Sequence, residues 1–182
     1  MTETTTTATK TEPKYFPEHR IYKPNPAKNG AASKLQFKIK QERYREGQLF
    51  WVAAQQTGLD ENGNASFGWD STEQKVTMKL DTPDIGEILA VLNGKKDSVG
   101  QPPKEGSKFP AGLFHKNAAG STTMQFAKVA GKDGKHDYYA VRLASKKGEA
   151  LVEAKHTITL GEGEVLRIIL EDAISAMYNW RD

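Results

Sequence analysis

In two short runs of the chain, lysines fall only on alternate positions, which they share with one other polar residue in each run. Residues 34–40 read KLQFKIK and residues 75–80 read KVTMKL. In extended chain the side chains alternate between faces. Lys34, Lys38 and Lys40 then share one face with Gln36, and Lys75 and Lys79 share one with Thr77. Leu35, Phe37, Ile39, Val76, Met78 and Leu80 fall on the opposite, core-forming side. A cationic face suits a phosphate chain, whose binding draws on the release of condensed counterions. An ordinary solvated sheet face carries lysines too. Acids are nearly absent from these positions, which favours binding.

Unpaired bases stack on any ring, so a sequence-tolerant single-strand binder needs aromatics among its cations. Phe50 is out of phase with Leu49 and Trp51, Phe114 with Leu113, and Tyr138 with Tyr139. Rings at such positions also serve as core or as subunit interface. We assign Trp51 and Tyr139 to that role, and Phe50, Phe114 and Tyr138 to the binding face. Arg142 is in phase with Tyr138 and can stack or pair with phosphate. Lys116 and Lys128 complete the expected set.

Other chemistries find less support. The chain has no cysteine, which removes disulfides, thiolate nucleophiles and zinc–cysteine sites and fits a reducing compartment. His19, His115, His136 and His156 lack metal-ligand spacing, and His115 reads as a plain sheet residue. Gly161-Glu162-Gly163-Glu164 lacks the lysine and spacing of a phosphate loop. It reads as a turn into a helix, with acids favoured by the helix dipole. No serine sits in a nucleophile elbow. The chain is therefore read as a binding protein, not an enzyme, with no metal or cofactor.

Charge is unevenly placed. From Glu149 to Asp182 there are seven acidic and three basic residues, a net of −4, which leaves +7 on residues 1–148 of a chain whose total is +3. The positive field thus lies on the strand-rich part. No apolar run is long enough to span a membrane. The N-terminus has neither a secretory signal nor the arginines of a transit peptide, which fits a cytoplasmic protein of prokaryotic or viral setting.

The elements that must position these side chains follow from periodicity. Residues 1–18 are threonine-rich and read as a disordered tail, with one domain over 19–182. Strands are expected at 34–40, 49–57 and 75–80, with a weak one at 65–69. Thr82 and Pro83 then start a helix, with Thr82 as its cap, and Gly94 stops it. Further strands are expected at 112–117, 122–129, 138–146 and 155–160. A closing helix over 162–179 carries a stripe of Leu166, Ile169, Leu170, Ala173, Ala176, Met177 and Trp180. The plan is α+β: two four-stranded antiparallel sheets, each followed by a helix, although only three strands of the first are distinct.

The order and spacing of several segments resemble the Whirly single-stranded DNA-binding proteins over nearly the whole chain beyond the tail. The segments are Ile21-Tyr22-Lys23, Phe67-Gly68-Trp69-Asp70, Gly86-Glu87-Ile88-Leu89, Gly112-Leu113-Phe114-His115-Lys116 and Met177-Tyr178-Asn179-Trp180. The resemblance implies a homotetramer with helices at its centre and single-stranded DNA lying across sheets of neighbouring protomers. A related trypanosome group with this fold binds guide RNA. The family's lysine-glycine-lysine-alanine-alanine segment is interrupted here, reading YKPNPAKNGAASK from Tyr22 to Lys34. The expectation is a protein that binds single-stranded DNA with little sequence preference, in replication, recombination or repair. The alternatives are single-stranded RNA binding or annealing on the same surface, or a homo-oligomeric scaffold for proteins.

Overall fold

Alternating sequences make two-faced strands, and two-faced strands must find a cover for their apolar side. In the computed structural model, which describes residues 18–39, 47–101, 112–118, 120–132 and 136–178, two sheets and two helices supply it. The first half contains β1 (Glu18–Lys23), β2 (Ala31–Ile39), β3 (Gly47–Leu59), β4 (Ala65–Phe67), β5 (Lys75–Leu80) and α1 (Thr82–Leu92). The second contains β6 (Leu113–Asn117), β7 (Gly120–Val129), β8 (Tyr138–Lys147), β9 (Ala150–Thr159) and α2 (Leu160–Met177). All pairings are antiparallel. β3 divides its length, residues 49–54 pairing with β5 and residues 56–59 with β4. The second sheet runs β6-β7-β8-β9.

The first sheet has five strands, one more than the sequence suggests. The addition is β1, whose EHRIYK offers only Ile21 as a buried apolar side chain, too little for periodicity to register. It begins at Glu18, inside the expected tail; residues 1–17 lie outside the described residues. β9 begins at Ala150, earlier than expected, because Gly148 at φ 59° makes a tight hairpin with β8.

Both helices have capping carboxylates. The cap of α1 is Asp81 and not Thr82: the Asp81 amide donates to the Asp84 carboxylate at 2.9 Å. The Thr82 hydroxyl meets the Tyr178 hydroxyl at 3.0 Å instead. Gly94, at φ 68°, ends α1 as expected. At α2 the Thr159 amide donates to Glu162 at 2.8 Å and the Glu162 amide donates to the Thr159 hydroxyl at 3.2 Å, a reciprocal cap. Gly161 and Gly163 therefore lie within the helix, not in a turn before it. A Cβ on Gly163 would overlap the Tyr139 ring. The ~1 kcal/mol helix penalty of glycine is the cost of bringing α2 onto that ring.

One core joins the halves. Trp51 of β3 meets Phe126 of β7 at 6.1 Å, edge to face, and Phe126 stacks on Tyr139 of β8 at 5.4 Å. Trp51 and Tyr139 are buried, as expected. Ile85 and Ile88 of α1 and Leu166, Leu170 and Ala173 of α2 close the cluster. In the expected α2 stripe, Ile169 and Met177 are half-buried and Ala176 is exposed, while Trp180 lies outside the described residues. Among the described residues, no helix is long and apolar enough to cross a membrane.

His156 of β9 is buried where the sheets meet, its Nε2 at 2.6 Å from the Ser33 hydroxyl of β2. Burial, reinforced by nearby Lys23, lowers its pKa from 6.5 to about 4. The unfolded chain thus takes up a proton below pH 6.5 that the folded chain refuses until about pH 4. Stability is complete above this window and is lost as pH falls through it. Between pH 7.5 and 5 the loss should be about 2 kcal/mol, read from denaturant titrations at each pH. His156→Gln should flatten that slope; an unchanged slope in the variant would contradict this assignment.

Candidate nucleic-acid interface

The strand register sets out the outer face of the first sheet row by row. Tyr22, Ala32, Ala54 and Lys75 form one row across β1, β2, β3 and β5. Arg20, Lys34, Val52 and Thr77 form the next, and Glu18, Gln36, Phe50 and Lys79 the third; Lys38 lies opposite Gln48 beyond them. Ala32, Val52 and Ala54 are buried although they face away from the core. Their cover is aromatic. Phe67 lies 5.6 Å from Tyr22, and Trp69 lies 6.2 Å from Phe67. The Lys34 ammonium sits over Trp69 at 5.1 Å from the ring centre. The segment after β4 therefore folds back across the face, and small residues in the row beneath leave room for its rings.

Local hydrogen bonds hold this arm. The Gly68 amide donates to the Gln55 carbonyl at 3.0 Å. A Cβ on Gly68 would overlap the Gln74 side chain. The Trp69 carbonyl accepts from the Lys75 ammonium at 2.6 Å. Lower on the same face, the Lys38 ammonium lies 4.9 Å from the centre of the Phe50 ring. Four rings and several cations thus form one surface, with attraction between ammonium and ring as its repeated contact.

The outer face of the second sheet holds the rest. Gln125, Arg142 and Lys155 form one row, Ala127, Ala140 and Thr157 the next, and Val129, Tyr138 and Thr159 a third. Tyr138 and Arg142 flank a concavity of about 560 Å³ in which Ala140 lies between them. The Arg142 guanidinium donates to the Glu153 carboxylate at 2.6 and 3.0 Å. Hydrogen bonds from Lys155 and Arg142 hold the Glu153 pKa below the usual carboxylate range. Phe114, 62 % exposed, and Lys116 share this side on the edge strand β6.

The expected residues therefore fall on two faces. Lys34, Lys38, Phe50, Lys75 and Lys79 lie on the first sheet; Phe114, Lys116, Tyr138 and Arg142 lie on the second. Lys40 lies outside the described residues, as does the side chain of Ile39. Lys128 is in phase with Met124 and Phe126, so it lies on the core side of β7. It emerges at the strand end to pair with Asp137 at 2.9 Å.

Three expectations need refinement. Acids are not absent: Glu18 pairs with Arg20 and Lys34, and Glu153 pairs with Arg142 and Lys155. Burial pushes the Glu18 pKa up, but hydrogen bonds from Gln36 and Arg20 outweigh it, and the carboxyl stays ionised below its usual range. Lys75 donates to a carbonyl, so its first role is to hold Trp69. His115 is more than a sheet residue: its Nε2 lies 3.0 Å from Asp84. Together with Asp81 these bring three ligand atoms within 4.8 Å of one another. The Asp84 oxygen is already taken by the Asp81 amide and His115, so the grouping reads as a cap tied to β6.

The sequence did not single out Arg20, Tyr22, Phe67 and Trp69 as site residues. Tyr22 and the Phe67-Gly68-Trp69 run carried the family resemblance, which was the available signal. Alternation alone gave no sign that the arm folds back.

No protein-family model matches this sequence, and no curated protein is similar to it in sequence. Its fold does match solved structures. WHY1 of Arabidopsis thaliana superposes with a TM-score of 0.62 at 15 % identity, over 93 % of this chain and 89 % of that one. The plant transcriptional regulator PBF-2 gives 0.57 at 19 % identity, over 93 % and 86 %. A guide-RNA-binding protein complex with guide RNA bound gives 0.54 at 15 % identity, over 88 % and 91 %. The chain has a Whirly-like fold.

The arm can be tested alone. Lys75→Met keeps the stem and removes the donor to Trp69, and should lower stability by about 1 kcal/mol. It should also raise acrylamide quenching of tryptophan fluorescence, because Trp69 loosens while Trp51 stays buried. Unaltered quenching would mean that Lys75 does not hold the arm.

Proposed function

We propose that this protein binds single-stranded nucleic acid, DNA in the first instance, across the outer faces of its two sheets and with little sequence preference. The observation that carries the reading is the surface of Tyr22, Phe67, Trp69 and Phe50 interleaved with Lys34 and Lys38. Rings accept any unpaired base, while cations track the phosphates. Duplex bases stack on one another and are withheld from the rings. Lys79 and Lys116 stand at the rims of the two faces. On the second face Arg142, held by Glu153, stands across the concavity from Tyr138. The role is protection or organisation of single strands, with no reaction catalysed. The guide-RNA-bound structural neighbour favours RNA as the second reading. The 2′-hydroxyl decides between them locally, so the test is competition of single-stranded DNA, duplex DNA and RNA for one labelled oligonucleotide.

Charge and stacking should separate by mutation. Lys38→Ala and Lys79→Ala should each lower the slope of log affinity against log salt by about 0.7. Phe50→Ala should cost roughly 1–3 kcal/mol per stacked base with the slope nearly unchanged. Variants that fold normally and bind like the parent at every salt concentration would show that the wrong face has been assigned.

We also propose a homotetramer built on the helices. Val165 and Ile168 of α2 are 46 % and 50 % exposed. Beside them Arg167 bonds Glu164 and Glu171. An apolar strip edged by ion pairs is the anatomy of a subunit contact. Light scattering at micromolar concentration should give four times the 20.1 kDa chain mass, and Ile168→Asp should reduce it. A monomeric parent would refute the assembly.

A further inference from the structure

The two outer faces point away from one another, because both sheets turn their inner sides to one core. A single strand that used both would have to turn a corner. Such a corner lies at β9, the edge strand of the second sheet. A cleft of about 310 Å³ opens there between the halves. Lys28 and Gly30 line it from the β1–β2 turn, Gln55 and Gln56 from β3, and Glu153 and Lys155 from β9. One hydrogen bond ties its two sides, the Gln55 side-chain amide donating to the Glu153 carbonyl at 2.8 Å. Toward the first sheet the cleft adjoins the ring face, since Gln56 lies opposite Phe67. Toward the second it adjoins the concavity beside Tyr138, which Lys155 also lines.

Lys28 sits at φ 58°, in the left-handed region, and no other non-glycine residue does so among the described residues. Asn29 and Gly30, which follow it, would enter that region at lower cost. The turn is fixed by the Lys28 amide, which donates to the Asn25 carbonyl at 2.9 Å, and by the Ala27 amide, which donates to the Asn25 side chain at 2.7 Å. The Lys28 side chain is exposed and enters no ion pair among the described residues. A strained position that keeps an unpaired cation points to function. Lys155, its side chain 60 % exposed, shares Glu153 with Arg142. Two cations on one acid leave a positive charge beside the cleft.

We propose that this cleft carries one single strand from the rings of the first sheet to the concavity of the second within one protomer, with Lys28 and Lys155 holding its phosphates at the crossing. The crossing rests on the binding of single strands proposed above. A duplex, stiff over about 50 nm, cannot follow such a corner, whereas a single strand can.

Oligonucleotide length exposes the crossing. A short single strand should be weakened by Phe50→Ala or by Tyr138→Ala but not by both, and a longer one by both. Lys28→Gly should lower the slope of log affinity against log salt by about 0.7 for the long strand and leave the short one unchanged. The melting temperature should hold or rise, because glycine relieves the strained turn. An unchanged slope on the long strand would overturn the proposal. The chain has no cysteine, so Lys28→Cys takes a single label. A polyethylene glycol maleimide there should reduce the affinity of the long strand to that of the short one, while methylthiolation should act only as Lys28→Gly does. Equal effects of the two labels would exclude passage through the cleft. Mixed oligomers of Phe50→Ala and Tyr138→Ala subunits should bind the long strand no better than either variant alone. Recovery on mixing would place the crossing between protomers and overturn the proposal. If Phe50→Ala and Tyr138→Ala weaken binding but changes at Lys28 do not, the crossing alone is wrong. If none of them weakens it, the reading of the faces fails and the crossing with it.

Discussion

The edge-to-face contact of Trp51 with Phe126 fixes everything built around it. Trp51 lies near the middle of β3, between Leu35 on β2 and Met78 on β5. Burying it against the second sheet commits every residue of its phase in three strands to the interior. Every residue of the other phase is thereby committed to the outside. A shift of one residue in any of these strands would exchange the two sets. The cationic face is thus the obligatory counterpart of the core.

That face is more than what the core leaves over. Ala32, Val52 and Ala54 give it a shallow apolar floor, and the Phe67–Trp69 arm lies across it. Lys34 is held between the Trp69 ring and Glu18 with a side chain only 17 % exposed. It therefore stiffens the ring while adding its charge to the face. Contacts of this kind contribute roughly 0.5–1 kcal/mol each at exposed sites, so no single one fixes the arm. The glycine turn at Gly68, the Lys75–Trp69 bond and the chain of rings act together. Rings ordered before a ligand arrives lose less entropy on stacking.

Periodicity carried much of this fold. KLQFKIK and KVTMKL announced their two faces, and the inward places of Leu35, Val76, Met78 and Leu80 followed directly. The Thr159–Glu162 cap sat in plain view but was hidden by the glycines around it. What periodicity could not carry were features decided by partners distant in sequence. β1 has a single buried apolar residue and exists because β2 offers an edge. Lys128 has the phase of the core and looked like any basic residue of a strand. Lys75 looked like a phosphate ligand because alternation specifies a face, not a neighbour. The rings of Tyr22, Phe67 and Trp69 meet only after the arm has folded back. The family resemblance gave the arrangement of sheets and helices, which solved structures of the same fold now support at low identity.

The central claim is that unpaired bases stack on the rings of the first sheet. It is tested most directly by fluorine NMR on protein labelled with 5-fluorotryptophan, the Trp69 resonance being assigned through Trp69→Phe. Addition of a single-stranded oligonucleotide should shift the Trp69 signal saturably and leave that of buried Trp51 in place, while an equal amount of duplex should move neither. A single strand that binds while the Trp69 resonance stays unperturbed would contradict the account.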